Sequence, residues 1–348
     1  MNAIMLLLAV AMPQDFTVGT AVAARGATAY GHIAVPARAD SGLRIPVAVI
    51  HGARPGRVVA FVAGSHGTEY ASIVALQRLI PRIDAGRLAG TVIVVPIMNL
   101  ASIEAMRVHT NPIDERGMNR EYPGDPNGTQ TQRALFEITR AVIDPADVIV
   151  DLHGGDLDED LRPYSYWVRS GRAAQDSASL RLALAFGLDH IIVNNVNPAA
   201  PTAGRSLSGQ SMVRGKTVLI SEAGRSGLAL DVDVNALIDG SLNVLGALGM
   251  IERRVQPVKN PVWLAGAGSR LVADSGVMWF AAVGRDARVK KGDLLGHTTD
   301  YHGRRIGDVR SPIDGVVTFI RGVPSTWRGA TLANVAPILT TVPPWTAP

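Results

Sequence analysis

No cysteine occurs among the 348 residues. Thiolate metal sites, catalytic thiols and disulfides are therefore excluded, and any metal must be held by histidines and carboxylates. Long runs of Lys or Arg are also absent, and a formal net charge of +4 is small for this length. A nucleic-acid role finds little support. The pI near 9.6 suits weak attraction to small anionic molecules instead. No G-x-S-x-G and no H-E-x-x-H occurs, which removes the serine-hydrolase elbow and the zincin helix. Internal repeats and low-complexity tracts are missing as well. An apolar run at residues 3–11, AIMLLLAVA, is too short to span a bilayer, so stable membrane insertion is not expected. It ends in Ala9-Val10-Ala11, the small-x-small pattern of a secretory cleavage site, although no Lys or Arg precedes it. The expectation is a signal or leader within residues 1–24 and a periplasmic or secreted protein, with a cytoplasmic one as the alternative.

What is present is a globular, turn-rich composition: 47% hydrophobic, 18% charged, with 36 Gly and 21 Pro. That suffices for one large domain and a smaller one. Four short runs, residues 58–63, 91–97, 147–152 and 217–221, are rich in Val and Ile and apolar at consecutive positions. Strands buried on both faces of a parallel sheet read this way. Helical patterns lie at 69–80, 129–142 and 177–186. Alternating strands and helices predict a doubly wound α/β domain with a mixed, mostly parallel sheet over residues 25–257. After KNPVW the pattern changes to short alternating segments cut by Gly-centred turns, which predicts a small all-β domain over 258–348.

Polar groups cluster where these strands end. GSHGTEY places His66 and Glu69 on the turn after the first run, DLHGG places His153 at the end of the third, and SEAG places Glu222 at the end of the fourth. Ligands of open α/β sheets bind just beyond the carboxyl ends of the strands. Two histidines and a carboxylate form a catalytic zinc set, with the remaining coordination position left to water. His66 and Glu69 share one short turn and make the natural chelating pair. Glu222 arrives on a separate strand and is assigned the general base and acid. Gly64, Gly67, Gly154 and Gly155 would let backbone approach metal and substrate. In NPIDERGMNREYPG, Asn119 and Arg120 suit a carboxylate clamp, because a guanidinium grips carboxylate bidentately. Arg107 is a weaker candidate for polarising the scissile carbonyl, and His109 and Asp151 are candidates for supporting the ligands.

These four segments, in this order, resemble the succinylglutamate desuccinylase/aspartoacylase family, a branch of the zinc-carboxypeptidase-like fold. The resemblance runs over roughly residues 55–340. It implies one Zn2+ per chain on His66, Glu69 and His153, catalysis by Glu222, and substrate-carboxylate binding by Asn119 and Arg120. It also implies hydrolysis of the amide of an N-acyl amino acid, and a C-terminal β-domain of barrel-sandwich character that narrows access to the zinc. Pro112 stands where aspartoacylase has an arginine, with Arg107 as its stand-in, so the acyl group is open. VKKGDLLG…SPIDGVV resembles biotinyl and lipoyl domains but has no Met-Lys-Met, so no attached cofactor is expected. An oligomer is compatible with the sequence. The rival readings are a zinc carboxypeptidase for short peptides and a non-catalytic zinc-binding protein.

Overall fold

The four apolar runs become neighbouring strands. In the computed structural model, which describes residues 15–266 and 268–346, Ala89–Val95, Arg54–Val62, Val148–His153 and Thr217–Arg225 lie side by side and all parallel. The expected leader at residues 3–11 lies outside the described residues. Consecutive apolar residues serve two cores. Val59, Phe61, Val92, Val94, Val148 and Val150 face the helices Tyr70–Leu79, Ala173–Phe186 and Asp231–Ala247. Their neighbours Ala60, Val62, Ile93, Val95 and Ile149 face the helix Gln130–Ile138 on the other side. That is the doubly wound α/β architecture read from the sequence.

Antiparallel strands extend this parallel centre. Leu43–His51 and Ala27–Val35 follow Ala89–Val95 on one side. On the other side Glu159–Arg169 pairs antiparallel with Thr217–Arg225 and parallel with His190–Asn195. Glu159–Arg169 carries no apolar run and contains Pro163, so it does not read as an interior strand.

The segment beyond residue 258 is rich in short antiparallel strands. Some form a separate three-stranded sheet, Met278–Ala281, Leu294–Thr299 and Arg305–Arg310. Others are hydrogen-bonded into the main sheet. Gly315–Arg321 pairs with the start of Glu159–Arg169, and Val262–Ala265 adds in parallel to His190–Asn195. The composition changes at 258, but the backbone hydrogen bonding runs across it. Among the described residues no helix is long and apolar enough to cross a membrane.

Candidate active site

The carboxyl ends of the three parallel strands deliver the expected side chains to one cavity of about 530 Å³. His153 is the last residue of Val148–His153, and in the strand pairing it stands directly beside Glu222. His66 and Glu69 sit on the turn that leads from Arg54–Val62 into the Tyr70–Leu79 helix. His66 Nδ1 lies 2.6 Å from Glu69 Oε1, and His153 Nδ1 lies 2.9 Å from Glu69 Oε2. One donor atom from each of the three residues falls within 4.8 Å of the others, with Glu69 and His153 buried. Asp151 Oδ1 lies 3.2 Å from the other ring nitrogen of His153. A carboxylate behind a histidine fixes its tautomer and turns the free nitrogen toward a metal. This donor set, converging and backed in this way, fits zinc.

Charge on these groups follows from their surroundings. Burial alone would raise the Glu69 carboxyl, but His153 and His66 beside it outweigh burial and hold it well below the usual carboxylate range. Burial alone would lower His153, but Glu69 and Asp151 reverse this and push it well up. Burial pushes Glu222 up to about 7, against the opposing pull of His153. The Tyr164 hydroxyl donates to Glu222 Oε2 at 3.0 Å and favours its charged form. Tyr166 follows on the same face of the strand, its ring 5.3 Å from that of Tyr164 in an edge-to-face contact.

Asn119 and Arg120 line the same cavity. They stand on a short helical turn, Met118–Arg120, in the turn-rich loop before the Gln130–Ile138 helix. The side-chain oxygen of Asn119 is buried with no partner in the protein, and Arg120 donates only to the backbone oxygen of Asn119. Arg107 is placed differently. It pairs with Glu115 at 2.6 and 2.8 Å, is half exposed, and is not among the lining residues. His109 does line the cavity, edge-on to His66 with centroids 4.9 Å apart. The motif glycines also serve a different purpose from the one expected. A Cβ at Gly67 would meet the backbone of Ser102 and Arg107 at about 2.5 Å, and one at Gly155 would meet Glu159 O at 2.3 Å. They let protein backbones approach one another, not a ligand.

Sequence reasoning missed Asp156, Glu159 and the two tyrosines. Asp156 is fully buried, accepts from Thr68 Oγ1 at 2.5 Å, and is pushed up to about 10 by burial and by Glu69. With His66 and His109 it forms a second donor grouping, but a carboxyl that keeps its proton is a poor metal ligand. Glu159 lines the cavity and is pushed up to about 8 by burial, then by Glu69 and Glu222. The acidic run at 156–160, three residues after His153, was the available signal. A second cleft of about 490 Å³ opens at the amino-terminal ends of the same strands, near Val148 and Thr217. It holds two arginines but none of the histidines or carboxylates.

Comparison with known proteins agrees with this geometry. The profile of the succinylglutamate desuccinylase/aspartoacylase catalytic domain matches residues 55–244, more than half of the chain. An N-alpha-acetyl-L-2,4-diaminobutyric acid deacetylase from Halomonas elongata is 28% identical over 319 residues, covering 89% of this chain and 92% of the relative. Among solved structures, a succinylglutamate desuccinylase from Silicibacter sp. TM1040 superposes with a TM-score of 0.80 at 23% identity, covering 90% of this chain and 95% of the other. The ectoine utilization protein EutE from Ruegeria pomeroyi, in a product-bound form, superposes equally well at 24% identity, with 89% and 95% covered. The matched profile spans all four segments that carry the cavity's histidines, glutamates and arginine, and on that ground the chain belongs to the succinylglutamate desuccinylase/aspartoacylase family.

Proposed function

We propose that the protein is a zinc-dependent hydrolase of the amide bond in N-acyl amino acids. The observation that carries this reading is the convergence of His66, Glu69 and His153 beside Glu222, in a cavity that Asn119 and Arg120 also line. His66, Glu69 and His153 would hold the zinc. When bound, zinc supplies a Lewis acid and lowers the pKa of a coordinated water to ~7. Glu222 takes the proton of the attacking water and returns it to the leaving amine. Tyr164 holds the Glu222 carboxylate in place through its hydroxyl. Arg120 orients the substrate by gripping its carboxylate, with the Asn119 amide beside it.

The Halomonas relative's name supports an acetyl group on a small amino acid as the first substrate to try. Phe319 and Asn334, from the segment after 258, belong to the cavity wall. They favour a small substrate over a peptide that must lie across an open cleft, which sets the carboxypeptidase reading behind this one. Glu222, held by Tyr164, sets a storage role further back, since a zinc store has no use for a base. We take residues 25–257 as the catalytic unit and 258–348 as the unit that narrows its mouth, and export by a leader in 1–24 as the expected route. The deciding experiment is a panel of N-acetyl, N-succinyl and dipeptide substrates with amine release as the readout. Acyl amino acids should be hydrolysed, and activity should follow zinc on chelation and reloading. Turnover of dipeptides alone would transfer the assignment to a carboxypeptidase.

A further inference from the structure

The cavity carries one more carboxylate than hydrolysis uses. Glu69 belongs to the metal set, Glu222 is the base, and Asp151 is engaged by His153. That leaves Glu159. Its Oε2 accepts one long hydrogen bond, 3.4 Å from the Asp156 N–H. Among the described residues it forms no ion pair. Arg321 stands opposite it in the strand pairing, yet turns its guanidinium to Asp158 at 2.5 Å and over the Trp327 ring. A half-buried carboxylate beside two other acidic groups, without a cation, is costly unless a ligand completes it.

The positive side of the ledger is equally short. Of the residues that line the cavity, Arg120 is the one arginine, and no lysine is among them. An N-acyl derivative of an acidic amino acid brings at least two carboxylates. A single guanidinium can serve one, and Glu159 would repel the other. An amino acid with a short basic side chain brings one carboxylate and one ammonium, matched in number and sign by Arg120 and Glu159. We propose that Glu159 is a specificity-determining residue that receives the cationic side chain of the substrate, which makes the substrate class Nα-acyl derivatives of short basic amino acids. This rests on the deacylase reading above and narrows it.

The test uses the full chain loaded with zinc and three substrates: Nα-acetyl-L-2,4-diaminobutyrate, its counterpart without the ammonium, N-acetyl-L-2-aminobutyrate, and N-acetyl-L-aspartate. The wild type should prefer them in that order by kcat/KM. Glu159→Gln should lower the ratio of the first to the second about tenfold or more, the size of one lost charge-assisted hydrogen bond, and Glu159→Asp should keep part of it. Calorimetric binding of free 2,4-diaminobutyrate and 2-aminobutyrate to wild type and Glu159→Gln repeats the comparison without turnover. A wild type that favours the neutral or acidic substrate overturns the proposal, as does a variant that loses the same factor on both. Hydrolysis of all three without charge preference removes the role of Glu159 and leaves the deacylase reading standing. No hydrolysis, with diaminobutyrate binding that depends on Glu159, removes the deacylase reading and leaves the cation site. Should Glu159→Gln not fold, the charge preference of the wild type in turnover and in calorimetry decides.

Discussion

The two halves of the cavity are built in different ways. The metal and base half hangs on three adjacent parallel strands, where backbone pairing sets Glu222 beside His153 and buried side chains hold Glu69 in place. The carboxylate-reading half hangs on the loop from Met106 to Gly124, where Arg120 is exposed and Met106 and Glu115 take positive φ angles of 50° and 55°. This loop is anchored from within: Asn111 donates to Gln130 and Thr131, and Asp114 accepts from both the backbone and the hydroxyl of Thr131. Chemistry that tolerates little displacement sits on the sheet, and recognition that must differ between substrates sits on a tethered loop.

Breaking the sheet half should have the largest effects. His153→Ala removes a buried ligand, so zinc content and activity should fall together; elemental analysis beside turnover checks this. Retained zinc with lost activity would mean that His153 supports the site without binding the ion. Glu222→Gln should keep the zinc and lose about 10²–10⁴-fold in kcat, the usual loss with a general base. Near-normal turnover would exchange the roles of Glu222 and Glu69.

The loop half should respond more weakly and more selectively. Arg120→Ala removes a charge-assisted hydrogen bond worth about 1.5–3 kcal/mol, or roughly 10- to 150-fold in kcat/KM for substrates with a free carboxylate. Methyl esters of those substrates should be nearly indifferent to the change, and lysine at 120 should restore only part of the loss. Equal losses on acid and ester would show that Arg120 does not read the carboxylate.

Two smaller changes sharpen the contrast. Tyr164→Phe takes from Glu222 a hydrogen bond that favours its charged form, so the carboxyl should hold its proton to higher pH. A base works deprotonated, so the acid limb of the kcat/KM profile should move upward, with the loss greatest in acid and least in alkali. A limb that stays in place, measured across the same pH range, would separate Tyr164 from the base. Arg107→Ala breaks an exposed ion pair with Glu115, a contact worth about 0–1 kcal/mol. Its activity should stay within about threefold of the wild type, and a loss as large as that of Arg120→Ala would bring Arg107 back into the cavity.

Much of this was legible because it is local. Apolar residues at consecutive positions identify strands covered on both faces, and the first polar residues after each run mark the carboxyl end. His66, Glu69, His153 and Glu222 could thus be named from strand polarity and donor chemistry. The absence of cysteine settled the ligand types before any geometry was known. The tertiary structure alone decided which strands are neighbours. Pairing in a sheet joins residues far apart in the chain, and nothing in a polar, proline-bearing stretch such as Glu159–Arg169 announces that it lies against Thr217–Arg225. That pairing brings Tyr164 to Glu222. The meeting of its first residues with Gly315–Arg321 ties the segment after 258 into the catalytic sheet. Arg107 shows the same limit from the other side: residue type and proximity in sequence suggested a role, but a side chain's partner depends on which oppositely charged group the fold brings within reach, and for Arg107 that group is Glu115.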